Sequence, residues 1–542
     1  MLNNQADYDY VIAGGGSAGC AAAARLVNRY GARVLLLEGG DMDTNPLIHM
    51  PAGSFKIVFG DSDHMVRHIS EPQAALDGRR VALPQANVLG GGSSVNAMAY
   101  LRGSPSDYSK WSAEVGDEWG WNWPGLLPYF RAQECNVKFN DDYHGVDGPL
   151  RVNDPAYKVE SSDLFIKTMQ NQGVPFRSDF NGPEKFGVGY IQVNSHAGRR
   201  CSAVDAFLRP LLKANSPKLT LVTRASVQRI LFEGNRAVGC EYLVNGRLKQ
   251  VRAASEVLIT AGSMRSPKLL MLSGIGPAAQ LTKHGIKVRS DLPGVGQNFQ
   301  DHVMTPVSAY TRDTNGYFGE DAGWRALRNY LQYRLFESGP ILSNGAETQA
   351  FVRIDGAAAP DDPNVQIYSV GLLWPGAPGA KPAHGITLLA NLVRPHSRGE
   401  LRLRSADPKD DLLFEPNYLG DERDLNALIA SVRLMRSTLQ THPLSEKVLE
   451  EVMPGPSCSS DAELAAYVKR SVETDYHPVG TCKMGRDSDP MSVLTPDLRV
   501  RGVECLRVLD ASMMPHILSA NLNATVTAVA EKAVDMMCGG SG

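Results

Sequence analysis

Short apolar runs broken by glycine clusters dominate the chain. The first, Tyr8-Asp9-Tyr10-Val11-Ile12-Ala13, predicts a strand; it stops at Gly14-Gly15-Gly16-Ser17-Ala18-Gly19 and gives way to an Ala-rich helix over 20–26. Arg33-Val34-Leu35-Leu36-Leu37-Glu38 follows, a continuous apolar strand of the kind buried on both faces of a parallel sheet, closed by an acid. Together these make a βαβ unit. Strand-like alternation returns at 219–232 and 237–243, and Glu256-Val257-Leu258-Ile259-Thr260, ending at Ala261-Gly262, predicts a buried strand rejoining the first sheet. Over 310–460 aromatics and prolines increase, and stretches such as Glu400-Leu401-Arg402-Leu403-Arg404 alternate, which predicts an antiparallel sheet with one face to water. The tail, 520–537, carries apolar residues at helical spacing after a polar start and predicts a helix beginning near Asn521 or Asn523. With 33 prolines and 52 glycines, turns are frequent and few long helices are expected.

Composition narrows the class. At about 150 residues per domain, 542 residues correspond to three or four domain-sized units, although large α/β enzymes interleave fewer. Hydrophobic residues at 43% and charged residues at 21% describe a soluble globular chain. Fifty-five Lys and Arg against 58 Asp and Glu give a net charge of -3, so no basic surplus exists for nucleic acid. Eight cysteines lie scattered without a C-x-x-C pair, which argues against a disulfide framework and a zinc cluster; no metal is expected. The polar first seven residues lack a secretory pattern and no apolar run is long enough to span a membrane. The reading is a cytoplasmic protein, with peripheral attachment to the inner face of a membrane left open.

Gly14-x-Gly16-x-x-Gly19, enclosing Ser17 and Ala18, ends a strand, opens a helix and is followed about 20 residues on by Glu38, the context of a dinucleotide site. Gly14 permits the tight turn, Gly16 admits a pyrophosphate, Gly19 lets helix and sheet pack closely, and the helix N-terminus favours negative charge. Glu38 is placed to accept hydrogen bonds from a ribose. Spacing alone leaves NAD and FAD both open.

The stretch Ala86-Asn87-Val88-Leu89-Gly90-Gly91-Gly92-Ser93-Ser94-Val95-Asn96-Ala97-Met98 resembles the first signature of the glucose-methanol-choline (GMC) flavoprotein oxidoreductases. Gly262-Ser263-Met264-Arg265-Ser266-Pro267-Lys268-Leu269-Leu270-Met271-Leu272-Ser273-Gly274-Ile275-Gly276-Pro277 resembles the second. The likeness continues through Pro293-Gly294-Val295-Gly296-Gln297-Asn298-Phe299-Gln300-Asp301-His302 and into the last sixty residues, covering 8–537, and is closest to the choline dehydrogenase and alcohol dehydrogenase branch. It implies an α/β fold: a Rossmann-like FAD-binding domain (1–155, 200–310 and 465–542) and a substrate-binding domain built on an antiparallel sheet (156–199 and 311–464). It implies FAD contacts at Gly91, Gly92, Ser94, Val95, Asn96, Ala97, Met98, Val227, Ala261, Asp510, Ala511 and Asn523, besides the fingerprint residues. Some members attach FAD covalently through a His in the first signature; Val95 stands there, so the resemblance implies noncovalent FAD.

Within Tyr476-His477-Pro478-Val479-Gly480-Thr481-Cys482-Lys483-Met484-Gly485, the family's alcohol-deprotonating base corresponds to His477. By itself one His among twelve is more commonly a core or surface residue. The family's second active-site residue, His or Asn, corresponds to Asn521, whose amide can orient a substrate oxygen; a plain helix N-cap is the alternative. The terminal motif departs from the family's usual Gly-Asn-x-Asn-Ala-Pro, reading Ser519-Ala520-Asn521-Leu522-Asn523-Ala524-Thr525. The implied activity is oxidation of a primary alcohol, apolar or aromatic, to the aldehyde, with hydride passing to flavin N5 and electrons to oxygen or a quinone. A lyase of the hydroxynitrile lyase kind on the same fold, or an FAD-binding protein without catalysis, are the competing readings. Phe318, Trp324, Tyr330 and Trp374 fall in the substrate-binding part, where core packing is as good an account as a cavity wall. The alcohol and the oligomeric state stay open.

Overall fold

The computed structural model describes residues 7–312, 316–354, 362–375 and 380–539. Its first sheet has the strand order Leu219–Val222, Val34–Leu37, Tyr8–Ala13, Arg247–Ile259, Arg236–Val244, Ala225–Glu233, with Leu506–Val508 also pairing with Arg247–Ile259. The apolar strands at its centre run parallel, whereas the last three form an antiparallel meander. Arg247–Ile259 serves both, since its first half pairs with Arg236–Val244 and its second with Tyr8–Ala13. The alternation over 219–232 is therefore two strands in two surroundings, separated at Arg224, which takes a positive φ of 53°.

The helix Ser17–Tyr30 packs its alanines on this sheet and ends at Gly31, whose left-handed φ of 65° closes the last turn. The C-terminal helix Asn523–Cys538 lies against it, fixed by Arg25, which donates to Asp535 at 3.0 and 2.5 Å and to Glu531 at 3.2 Å.

The second sheet is wholly antiparallel, in the order Val448–Met453, Val303–Thr311, Gly385–Leu392, Val365–Val370, Thr348–Val352, Gly187–Tyr190, with Glu473–Thr474 pairing at Val303–Thr311. Its assembly differs from the sequence expectation in three ways. Its central strands meet water on neither face: Thr348–Val352, Val365–Val370 and Gly385–Leu392 are buried at every position. The helices Glu160–Asn171 and Glu422–Gln440 cover one face, and on the other the polar positions pair with one another, as Gln366 does with Gln349 (2.7 Å) and Ser308 with Thr387 (2.8 Å). Polar alternation here marks a face covered by the rest of the protein rather than a wetted one. Glu400–Arg402 pairs only with Leu413–Glu415 in a separate ribbon. Finally, Val303–Thr311, which crosses the expected boundary at 310, and Glu473–Thr474, inside the segment expected in the FAD-binding part, hydrogen-bond into this second sheet.

Candidate active site

A cavity of about 700 Å³ lies between the two sheets, lined at one end by the glycine turn and at the other by His477 and Asn521. The fingerprint glycines play separable parts. A Cβ on Gly19 would sit 2.0 Å from the Gly14 carbonyl oxygen, so glycine is demanded by helix–strand packing. A Cβ on Gly16 would meet no protein atom within 3.8 Å, its nearest being Thr260 O at 3.9 Å, and Gly92 has nothing within 4 Å; both line the cavity, so the room they leave belongs to a ligand. Two helix N-termini converge there, linked by the Ser17 hydroxyl donating to Asn523 Oδ1 at 2.8 Å, and together they favour an anionic group such as a pyrophosphate. Ala18 lines the same wall.

Glu38 is buried with both carboxylate oxygens held, one by the Gly15 amide (2.8 Å) and one by the Gly40 amide (2.6 Å). Burial pushes its carboxyl upward, and the two N–H donors oppose that. Each oxygen keeps a lone pair for a ribose hydroxyl. Val227 lines the cavity beside Ala225, whose amide donates to the Glu38 carbonyl at 2.8 Å.

The signature loop touches the glycine turn directly, the Gly90 amide donating to Gly15 O at 2.7 Å. Gly91, Gly92, Val95, Asn96 and Ala97 line the cavity, and so does Ser93, which the sequence reading passed over. Ser94 and Met98 do not. The Ser94 hydroxyl donates to Leu89 O at 2.6 Å inside the loop, and Met98 packs into an apolar cluster with Ile191, Val193 and Met304. Asn96 lines the wall, but its amide oxygen is engaged by the Met98 amide and Arg200. Ala261, Asp510 and Ala511 also line the cavity. The Asp510 carboxylate is fully committed to the protein, accepting from the amides of Gly262 (2.8 Å) and Ser512 (2.9 Å) and from the hydroxyls of Ser266 and Ser512, so its backbone is what faces a ligand.

At the other end, a chain of hydrogen bonds sets the protonation of His477. His302 donates from Nε2 to Leu518 O at 2.8 Å, which leaves its Nδ1 bare. That nitrogen lies 3.0 Å from His477 Nδ1, so His477 carries its proton on Nδ1 and presents a bare Nε2. Nε2 faces Asn521 Nδ2 at 3.3 Å, and the Tyr368 hydroxyl donates to Asn521 Oδ1 at 3.2 Å, orienting the amide. Asn521 thus lies outside the cap: the helix begins at Asn523 with Leu522 as its N-cap residue. Ser519, at the departure from the family motif, donates through its amide and hydroxyl to Asp107 (2.8 and 2.6 Å), and its carbonyl accepts from Lys185, whose amine burial pushes down to about 7.

Two carboxylates face the His477 ring. Asp301 accepts the His477 backbone amide at 2.8 Å and is pushed up to about 6 by burial. Asp475 places Oδ2 3.3 Å from His477 Nδ1, and that buried oxygen has no hydrogen-bond partner among the described residues. Burial disfavours the charged His477 ring, but Asp475 and then Asp301 outweigh it and hold the imidazole above its ordinary value. His302, deeper and beside His477, is driven far below its own by burial and stays neutral.

His302, Asp475 and His477 hold their donor atoms within 4.8 Å of one another. The two Nδ1 atoms share a proton at 3.0 Å, a separation tighter than roughly 3.4 Å for two nitrogens on one tetrahedral ion, so a proton suits the pair better than a metal. In the other such group, Asp43, His49 and Asp205, the Arg209 guanidinium already bridges both carboxylates.

Of the aromatic residues weighed from sequence, Trp374 lines the cavity, with Phe55, Phe59, Tyr368 and Tyr476; Phe318, Trp324 and Tyr330 lie outside it and are exposed. His302, Asp475 and Tyr368 complete a site for which the sequence singled out only His477 and Asn521. His302 and Asp475 lay next to recognised motifs, at the end of Gln297-Asn298-Phe299-Gln300-Asp301-His302 and two residues before His477; Tyr368 had no local signal.

Family models described as GMC oxidoreductase match residues 8–304 and 395–530. The chain is 38% identical over 536 residues to the alcohol dehydrogenase (acceptor) of Pseudomonas putida, covering 98% of this chain and 95% of that one. It is 38% identical over 534 residues to the oxygen-dependent choline dehydrogenase of Sinorhizobium medicae, with the same coverages of 98% and 95%. The crystal structure of pyridoxine 4-oxidase from Mesorbium loti matches it with a TM-score of 0.87 at 32% identity, covering 97% of this chain and 98% of that one.

Proposed function

The chain belongs to the GMC oxidoreductase family and is an FAD-dependent alcohol oxidoreductase, and from that premise we propose that it oxidises a primary alcohol with an apolar or aromatic body to the aldehyde. The observation that carries the reading is the pairing of a bare His477 Nε2 with the Asn521 amide, 3.3 Å apart, at the end of the cavity. An alcohol oxygen lying beside the pair, within hydrogen-bond reach of both, accepts from Asn521 Nδ2 while its proton passes to His477 Nε2. The positive charge that then forms on the ring faces the carboxylates of Asp475 and Asp301. FAD, when bound, supplies the hydride acceptor, its N5.

The residues present fit that group. Gly14, Gly16, Ser17 and Asn523 suit its pyrophosphate, Glu38 its ribose, Val227 its adenine, and Gly91 to Ala97 with Ala261 and Ala511 the remainder. Noncovalent binding is supported by Val95, which offers no atom for a bond to the flavin. The walls of Phe55, Phe59, Tyr368 and Trp374 support an apolar or aromatic substrate. Electrons pass to oxygen or a quinone. Cytoplasmic residence, with peripheral attachment at the inner face of a membrane, is part of the proposal; eight free cysteines suit a reducing compartment, and no helix among the described residues is long and apolar enough to cross a membrane.

The test is an anaerobic absorption spectrum of the purified protein mixed with aliphatic, aromatic and quaternary-ammonium alcohols, followed by air. Bleaching of the flavin band by aromatic or aliphatic alcohols supports the reading, and the speed of recovery in air sorts oxygen from another acceptor. A spectrum unchanged by every alcohol moves the assignment to the lyase chemistry or to an FAD-binding protein without catalysis.

A further inference from the structure

The helix Gly323–Phe336 is turned inside out. Its buried residues are Asn329 and Tyr333, whereas Trp324 (70%), Leu335 (68%) and Phe336 (73%) stand largely in solvent with Leu327, Tyr330 and Leu331. Trp324, Leu327, Leu331 and Leu335 recur at helical spacing and form one outward stripe. The inward Asn329 is satisfied, donating to Glu320 O at 2.9 Å and to its carboxylate at 2.7 Å, so the orientation of the helix is fixed by a buried polar anchor. An exposed apolar stripe of this extent on a soluble fold marks a surface that something covers.

Charge identifies the cover. Every charged residue within the helix is basic, Arg325, Arg328 and Arg334. Glu320 pairs with Arg325 and Arg328, while Arg334 carries no ion pair among the described residues. Arg334 stands exposed beside the stripe, with the acids Asp321 and Glu337 lying outside the ends of the helix. Phosphate headgroups answer Arg334, and the apolar stripe flanked by arginine and tryptophan has the makeup of a helix lying in a membrane interface.

The position is also telling. From the helix the chain runs through Pro340–Leu342 to Asn344 and Ala346 in the cavity wall. Ile341 O accepts the Ala52 amide at 3.1 Å, and Gly345 packs on the ring of Phe55. Phe55 and Phe59 line the cavity, and Phe59 is itself exposed, so the cavity reaches the surface on this connected stretch.

We infer that the helix Gly323–Phe336 docks on an anionic lipid surface, with Trp324, Leu327, Leu331 and Leu335 entering the headgroup–acyl boundary and the arginines meeting phosphates. The inference deepens the peripheral attachment proposed above and rests on it, independently of the alcohol chemistry.

Sedimentation of the FAD-loaded protein with vesicles of phosphatidylcholine, alone or mixed with phosphatidylglycerol, tests it. The protein is expected to sediment with the mixed vesicles and less so as salt rises. The double variant Leu331→Glu/Leu335→Glu is expected to lose at least about tenfold in partitioning while keeping its yellow colour and thermal midpoint, because both side chains already stand in solvent. Failure of the wild type to sediment, or equal sedimentation of the variant, overturns the inference. A dimer in sedimentation velocity that the variant dissolves, with vesicles ignored, overturns it in favour of a second copy. Alcohol-driven bleaching on the same samples reports on the chemistry separately, so either proposal can fail alone.

Discussion

His302 Nδ1 lies 3.0 Å from His477 Nδ1, and because His302 Nε2 is committed to Leu518 O, the one proton between the rings belongs to His477. A neighbour that never reacts thereby decides which nitrogen of the base is bare. His302→Ala removes that control and leaves the Leu518 carbonyl unpartnered. Flavin reduction by alcohol is expected to fall by up to about 10²-fold, the scale of a misplaced reacting group, with FAD content unchanged. Stopped-flow reduction alongside the absorbance ratio of flavin to protein checks it; an unchanged rate would mean that Asp475 alone suffices to hold the Nδ1 proton.

His477→Ala is expected to retain FAD and lose alcohol-driven reduction by about 10²–10⁴-fold or more, the contribution of a positioned general base. Near-normal reduction in anaerobic stopped flow would refute the assignment. Asn521→Ala, which removes orientation rather than a proton acceptor, is expected to be milder.

What the sequence discloses follows the range of the physics involved. The glycine turn is legible because its requirements are local: a sharp backbone reversal, close packing at Gly19 and open space at Gly16 all fall within six residues. The resemblance locates the signature loop and His477 but not the direction of each side chain, so Ser94 and Met98, which turn inward, look the same in sequence as Val95 and Ala97, which face the cavity. Tyr368 reaches Asn521 from a strand 153 positions away, a relation no local pattern encodes. The second sheet misleads for a related reason: Gln349, Gln366 and Thr387 alternate like a wetted face, yet they are buried, Gln366 donating to Gln349 and Ser308 pairing with Thr387.

The pH dependence of kcat/KM carries a signature of Asp475. His477 acts when neutral, so the rate is expected to rise with pH through its pKa, which Asp475 and Asp301 hold above the ordinary imidazole value of about 6.5. Asp475→Asn withdraws a negative charge from beside the ring; the imidazolium becomes less favourable, the pKa falls, and the acid limb moves to lower pH. A limb that stays in place while KM rises would instead assign the carboxylate to substrate contact.

Gly16→Ala and Gly19→Ala separate ligand space from packing space. At Gly16 the added methyl finds protein no nearer than 3.9 Å, so the apo fold should melt close to the wild type, within about 0.5 kcal/mol of stability. The methyl does occupy room that a pyrophosphate needs, and FAD affinity is expected to drop by tenfold or more, roughly 1.4 kcal/mol. At Gly19 the same methyl lies 2.0 Å from the Gly14 carbonyl oxygen, so helix and strand must move apart whether or not FAD is present. That variant is expected to lose stability by about 1–3 kcal/mol even without cofactor, as overpacking does. Thermal melts with and without added FAD distinguish them: the Gly16 deficit should appear only in the FAD-dependent rise of the midpoint, whereas the Gly19 deficit should be present in both melts. Equal apo midpoints for the two variants would mean that the helix start yields more readily than its geometry implies.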